Sequence, residues 1–105
     1  MITGMNHFTA IASDPDITLD FYTNLLGLQI GYRPDLGFSG AWLYAGDTVV
    51  LHLYFDRPVP NPAPGVIDHM AFTTQNLKKF KSKFDEAGYP YKPVSYTHLT
   101  LPTKA

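Results

Sequence analysis

The chain repeats itself. Twenty residues separate His7 from Gly27, and nineteen separate His69 from Gly88. Each stretch opens on a short β-favourable run with its histidine near the start and passes through an apolar stripe at helical spacing. Each then closes on a glycine suited to a left-handed helix cap. A repeat of this kind restricts the fold to copies of one supersecondary unit, because a single unit cannot bury its apolar face alone.

The first copy reads as β-α-β-β-β over residues 5–56. Met5 to Ala12 is the first strand. Asp14 then caps a helix over residues 15–26, with Pro15 at the first position, where a missing N–H is harmless. Ile17, Phe21 and Leu25 fall at i, i+4 and i+8, and Tyr22 and Leu26 fill the adjoining row. Leu28 to Tyr32 reads as a second strand, and Gly40 to Ala45 and Thr48 to Phe55 as a hairpin turning at Ala45-Gly46-Asp47. Residues 57–65, RPVPNPAPG, carry four prolines; proline lacks a ladder donor, so this run is a linker.

The pattern restarts over residues 66–93, with a strand at Ile67–Thr73 and a helix over residues 77–87 whose stripe is Leu77, Phe80, Phe84 and Ala87. The predicted fold class is therefore α+β, paired βαβββ modules with the first complete and the second incomplete. His52 lies forty-five residues after His7, and its counterpart in the second copy would fall beyond residue 105. Residues 94–105, VSYTHLTLPTKA, continue no earlier pattern and read as a non-native tail of translated sequencing adapter, which discounts His98. The expectation is a fragment of a longer parent, poorly stable and prone to associate through an unpaired strand edge.

Composition narrows the function. Hydrophobic residues make up 45% of the chain and charged residues 16%, a globular balance. A net charge of −1 gives no electrostatic footprint for nucleic acid or an anionic membrane. Lysines 78, 79, 81 and 83 interleave with Leu77, Phe80 and Phe84, as a solvated helix face does. There is no cysteine, which removes thiolate catalysis and thiolate metal ligands. Without a signal-like start or a membrane-length apolar run, the expected location is the cytoplasm.

The histidines carry the chemistry. Strand alternation puts His7, Thr9 and Ile11 on one face, His69 with Ala71 and Thr73, and His52 with Val50 and Tyr54. A lone strand histidine is ordinarily a hydrogen-bonded structural residue. Two at matched positions of a repeat are harder to dismiss, since facing strands can hold two imidazoles at a fixed separation for a metal. Trp42 and Tyr54 are candidate substrate-binding side chains, although aromatic residues on sheets are more often core. Thr9 is positioned to touch a bound substrate, and Arg33 and Arg57, the two arginines, are suited to an anion.

The runs MNHFTAIASDPDITLDFYTNLLGLQ, GAWLYAGDTVVLHLY and GVIDHMAFTTQNL resemble the vicinal oxygen chelate superfamily. That group includes glyoxalase I, extradiol dioxygenases, fosfomycin-resistance thiol transferases and bleomycin-binding proteins. The resemblance covers about residues 4–93 and is specific for the superfamily rather than for one activity. It implies paired modules around a divalent metal (Fe, Mn, Zn or Ni) with ligands at His7 and His69, and at His52 under the glyoxalase arrangement. The glutamate such proteins carry on a last strand has no counterpart here. The resemblance further implies a small-molecule substrate held through two vicinal oxygens, and a homodimer for the full-length parent. A glyoxalase-like lyase or isomerase ranks first, an Fe(II) extradiol-type dioxygenase second, and a non-catalytic small-molecule binding protein third.

Overall fold

The structure, a computed structural model, describes residues 1–59, 67 and 69–93. Four strands form one mixed sheet: β1 (Phe8–Ile11), β2 (Gln29–Gly31), β3 (Gly40–Ala45) and β4 (Thr48–Tyr54), in the spatial order β1-β4-β3-β2. The β3–β4 pair is an antiparallel hairpin, and β2 adds antiparallel to β3. β1 pairs parallel to β4, with Phe8 opposite Leu51 and Thr9 opposite His52. Parallel neighbours need a long crossover, and the helix after β1 supplies part of it. The fold is α+β, with one βαβββ module complete.

Helix α1 (Pro15–Asp20) begins where Asp14 accepts the Ile17 N–H at 3.2 Å and runs on as a π-helical turn, Phe21–Leu25. The Leu26 N–H reaches back five residues to the Phe21 carbonyl at 3.0 Å. Gly27 ends the helix at φ +85°. The second-module helix α2 (Leu77–Ala87) is built the same way: Asn76 caps it by accepting the Lys79 N–H, and Gly88 closes it at φ +74°. There the Tyr89 N–H donates to the Phe84 carbonyl at 3.0 Å and the Gly88 N–H to the Asp85 carbonyl at 3.2 Å, a Schellman closure in which glycine spares the Cβ penalty.

The two caps locate the single residue by which the copies differ. Seven residues separate His7 from Asp14 and seven separate His69 from Asn76, whereas cap to glycine is thirteen residues in the first copy and twelve in the second. The extra residue lies inside the first helix. A π turn is how a helix absorbs one residue too many.

The core is a leucine ladder on one face of the sheet. Leu43, Leu51 and Leu53 are fully buried, Ala41 joins them, and Phe8, Leu19, Tyr22 and Leu28 pack against them. The first helix turns Leu19 and the predicted Tyr22 toward the sheet, and Leu25 of the predicted stripe is buried, whereas Ile17 and Phe21 of that stripe turn elsewhere. Ile17 is 61% exposed, and Phe21 instead meets Phe84 and Tyr89 of the second module edge-on. Val50 also departs from expectation. The β3–β4 register shifts between Leu43 and Tyr44, leaving Val50 without a partner residue, and Val50 packs against the core instead of sharing the His52 face. A bulge breaks alternation in this way.

Helix α2 lies where its periodicity predicts, yet none of its residues is buried. The strand expected at 67–73 is absent: residue 67 and residues 69–73 belong to no strand. Strand geometry depends on a ladder partner, and no described segment pairs with this one. Most of the proline linker and the whole of residues 94–105 lie outside the described residues. No helix among the described residues is long and apolar enough to cross a membrane.

Removing a ladder leucine should cost far more than trimming the outward helix row. Leu51→Ala is expected to lower unfolding stability by about 2–5 kcal/mol, and Ile17→Ala by no more than about 0.5 kcal/mol, both read by equilibrium urea unfolding.

Candidate functional site

The sheet face opposite the leucine ladder carries the first module's candidate site residues. Trp42 and His52 are register partners across β3 and β4, and their rings stack at 4.2 Å with 8° between planes. His7, one residue before β1, lays its imidazole on the other side of His52 at 3.8 Å and 17°. The parallel β1–β4 register puts Thr9 opposite His52 as well. The result is a three-ring stack, Trp42–His52–His7, with Thr9 exposed beside it.

The ring nitrogens of the two histidines are placed differently. His7 Nδ1 lies 2.7 Å from Asn6 Oδ1; an amide oxygen only accepts, so Nδ1 is the donor of this pair and Nε2 is left outside it. His52 Nε2 is buried and has no hydrogen-bond partner. Such an atom is costly to leave unmatched. Burial lowers the His52 pKa below 6.5, and the neighbouring charges of His7 and then Arg33 push it the same way. His52 is thus suited to present a neutral nitrogen, the form a metal takes.

A second cluster adjoins the stack. Tyr54, two residues along β4 from His52, meets Phe38 edge-on at 5.0 Å. The Arg33 guanidinium lies 5.0 Å from the centre of the Phe38 ring, and that of Arg57 lies 4.9 Å from the same ring and 4.2 Å from Tyr54. Arg33 also donates through Nη2 to the Phe38 carbonyl at 2.9 Å. It rests over Gly40, where an added Cβ would sit 3.1 Å from Nη2 and would collide with the Leu53 carbonyl oxygen.

Of the residues singled out in the sequence, the structure brings together His7, His52, Thr9 and Trp42, with Tyr54 alongside. It does not gather His69 with them. His69 is exposed and outside any strand, and no group of three His, Asp or Glu side chains that could hold a metal ion forms among the described residues. Sequence reasoning missed Asn6, which accepts from His7 Nδ1, and Phe38, which collects both arginines; neither has a local pattern that announces it. An apolar cleft of about 560 Å³ lies elsewhere, between the end of the first helix and α2, lined by residues such as Leu26, Phe72, Phe80 and Phe84. None of the described histidines borders it.

Comparison with known proteins identifies the family to which this βαβββ module belongs. Residues 4–101 match the family model of the Glyoxalase/Bleomycin resistance protein/Dioxygenase superfamily; the chain belongs to that superfamily. Among curated proteins it is 29% identical over 97 residues to Glyoxylase I 4 of Arabidopsis thaliana, covering 86% of this chain and 55% of that protein. The chain thus spans about half the length of that relative. It is 25% identical over 112 residues to the uncharacterized protein YwkD of Bacillus subtilis (strain 168), covering 95% of this chain and 84% of the relative. Among solved structures, the fosfomycin resistance protein FosX from Listeria monocytogenes superposes with a TM-score of 0.65 at 19% identity, over 90% of this chain and 76% of that one. The integron cassette protein HFX_CASS4, from the mobile metagenome of the Halifax Harbour sewage outfall, gives 0.66 at 16% identity, over 89% and 78%. At these identities the structures speak to fold alone.

Because the fold depresses the His52 pKa, the unfolded chain binds the extra proton more readily, and the contribution of His52 to stability is complete above pH 6.5 and is lost as pH falls. An NMR titration of the His52 ring should give a midpoint below 6.5, and thermal stability should drop on acidification through that range. In His52→Gln this component of the pH dependence should disappear.

Proposed function

We propose that the protein is a divalent-metal-dependent enzyme of the glyoxalase-like lyase or isomerase type, acting on a small substrate through two adjacent oxygens, with His7 and His52 as metal ligands. The observation that carries this reading is the buried, unpartnered Nε2 of His52, stacked against an imidazole whose own Nε2 is left outside the Asn6 pair. A buried imidazole nitrogen with no competing hydrogen bond, beside a second imidazole, is a fitting start to a cation site, and superfamily members commonly use divalent metals. A cation held there supplies Lewis-acid charge beside the substrate oxygens.

The chain's own groups do the rest. The Asn6 amide fixes the His7 tautomer and ring orientation, as partners behind metal-ligating histidines do. Trp42 backs His52 and limits its rotation. Thr9 offers a hydroxyl next to His52, and Trp42 and Tyr54 offer ring faces to the substrate. His69 is assigned as the ligand the second module contributes when the two modules pair.

Metal binding tests the assignment apart from turnover. Saturating Zn²⁺, Mn²⁺ or Ni²⁺ at about 100-fold over Kd should stabilise the fold by about 2.7 kcal/mol, seen as a rise in Tm. His7→Ala and His52→Ala should each lose that rise, and Asn6→Ala should weaken it. Unchanged metal stabilisation in both histidine variants would falsify the site. With the metal-loaded protein, isomerisation of an α-hydroxycarbonyl compound without oxygen uptake supports the lyase or isomerase reading. Oxygen uptake with a catechol-type diol would replace it by the dioxygenase, and binding without turnover by a sequestering protein.

A further inference from the structure

We propose that Arg33 and Arg57, gathered around Phe38 beside the ring stack, form an oxyanion subsite, so that the substrate carries a carboxylate or phosphate-type group. This rests on reading the Trp42–His52–His7 stack as the substrate site, and it names the substrate class.

The two arginines are far apart in sequence, one in the β2–β3 connection and the other just past β4, yet both approach one aromatic ring at 5.0 and 4.9 Å. Two cations repel, and among the described residues no acid offsets their convergence. Neither guanidinium has a carboxylate partner among the described residues. The nearby acids are engaged otherwise: Asp35 accepts the Gly37 N–H at 3.0 Å, and Asp56 accepts the Ser39 hydroxyl at 2.7 Å. Ring faces hold a guanidinium without consuming its in-plane donors. Arg33 spends one N–H on the Phe38 carbonyl, Arg57 spends none on the described residues, and each guanidinium begins with five.

Arg33 is the fixed member, seated in the space Gly40 leaves and tied to backbone. Arg57 is exposed and rests on Tyr54 and Phe38. A planar oxyanion suits guanidinium forks of this kind, which bind carboxylate and phosphate with two parallel bonds. Tyr54 and His52 lie two residues apart on β4, on the same face of the sheet. An anion at the arginines therefore sets the remainder of a small molecule over Trp42 and His52.

Trp42 is the chain's single tryptophan, so its fluorescence reports on this face directly. The 105-residue chain would be titrated, in buffer stripped of metal, with succinate, inorganic phosphate, neutral succinamide and sodium chloride at matched ionic strength. Succinate, phosphate or both should give a saturable change, and which of them does identifies the oxyanion. Succinamide and chloride should give none. Arg57→Gln should weaken the anion about tenfold or more, and because Arg57 is exposed the variant keeps its fold, checked by circular dichroism. Binding to Arg57→Gln as tight as to the parent chain, or equal responses to succinamide or chloride, would overturn the subsite. Working without metal keeps this result separate from the ligand roles of His7 and His52.

Discussion

Parallel pairing of β1 with β4 is the constraint on which the rest of the molecule depends. It joins the first strand of the module to its last and closes the leucine ladder with Phe8 and Ala10 on one face. On the other face the same register brings His7 and Thr9 to His52. A shift of one residue would turn every side chain of β1 to the opposite face, burying Thr9 and exposing Phe8. The core and the site are thus two readings of a single register, and the apolar side is what enforces the polar one.

Much of this was legible in the chain. Asp14-Pro15, Gly27 and Gly88 marked helix ends because capping is local chemistry, set by a side-chain oxygen or a missing Cβ within one turn. The hairpin at Gly46-Asp47 was legible for the same reason. The segment at 67–73 had strand-like residues and is no strand, because strand geometry needs a partner that local sequence does not supply. Ile17 and Val50 were misplaced by one irregularity each. A helical stripe shows that a helix has an apolar side but not which neighbour it meets, and a bulge leaves no mark in composition. Among the site residues, strand alternation put His7, Thr9 and His52 on consistent faces. That Trp42 would lie flat on His52 depended on cross-strand register, and Phe38's hold on two arginines depended on loop shape.

The face bearing the stack disfavours a proton on His52 while concentrating positive charge beside it. The causes are burial and then the adjacent charges of His7 and Arg33, and a guanidinium offers donors and no acceptor. A site arranged this way presents lone pairs at one end and a cationic surface at the other. Under the proposed reading, such polarity would orient a small anion, because only one of its two ends would be welcome at each.

The π turn in the first helix has a bearing on ancestry. An insertion in a loop leaves little trace of when it arose, since loops absorb length readily. An insertion between two fixed caps is different: the helix must carry the surplus as a wider turn, and the flanking landmarks stay countable. If the two copies share an ancestor, the difference arose after they separated, as an insertion between Asp14 and Gly27 or a deletion between Asn76 and Gly88. Either way, an ungapped overlay of the halves falls out of step within that helix, and weak kinship between modules of such proteins would be underestimated by any comparison that allows gaps only in loops.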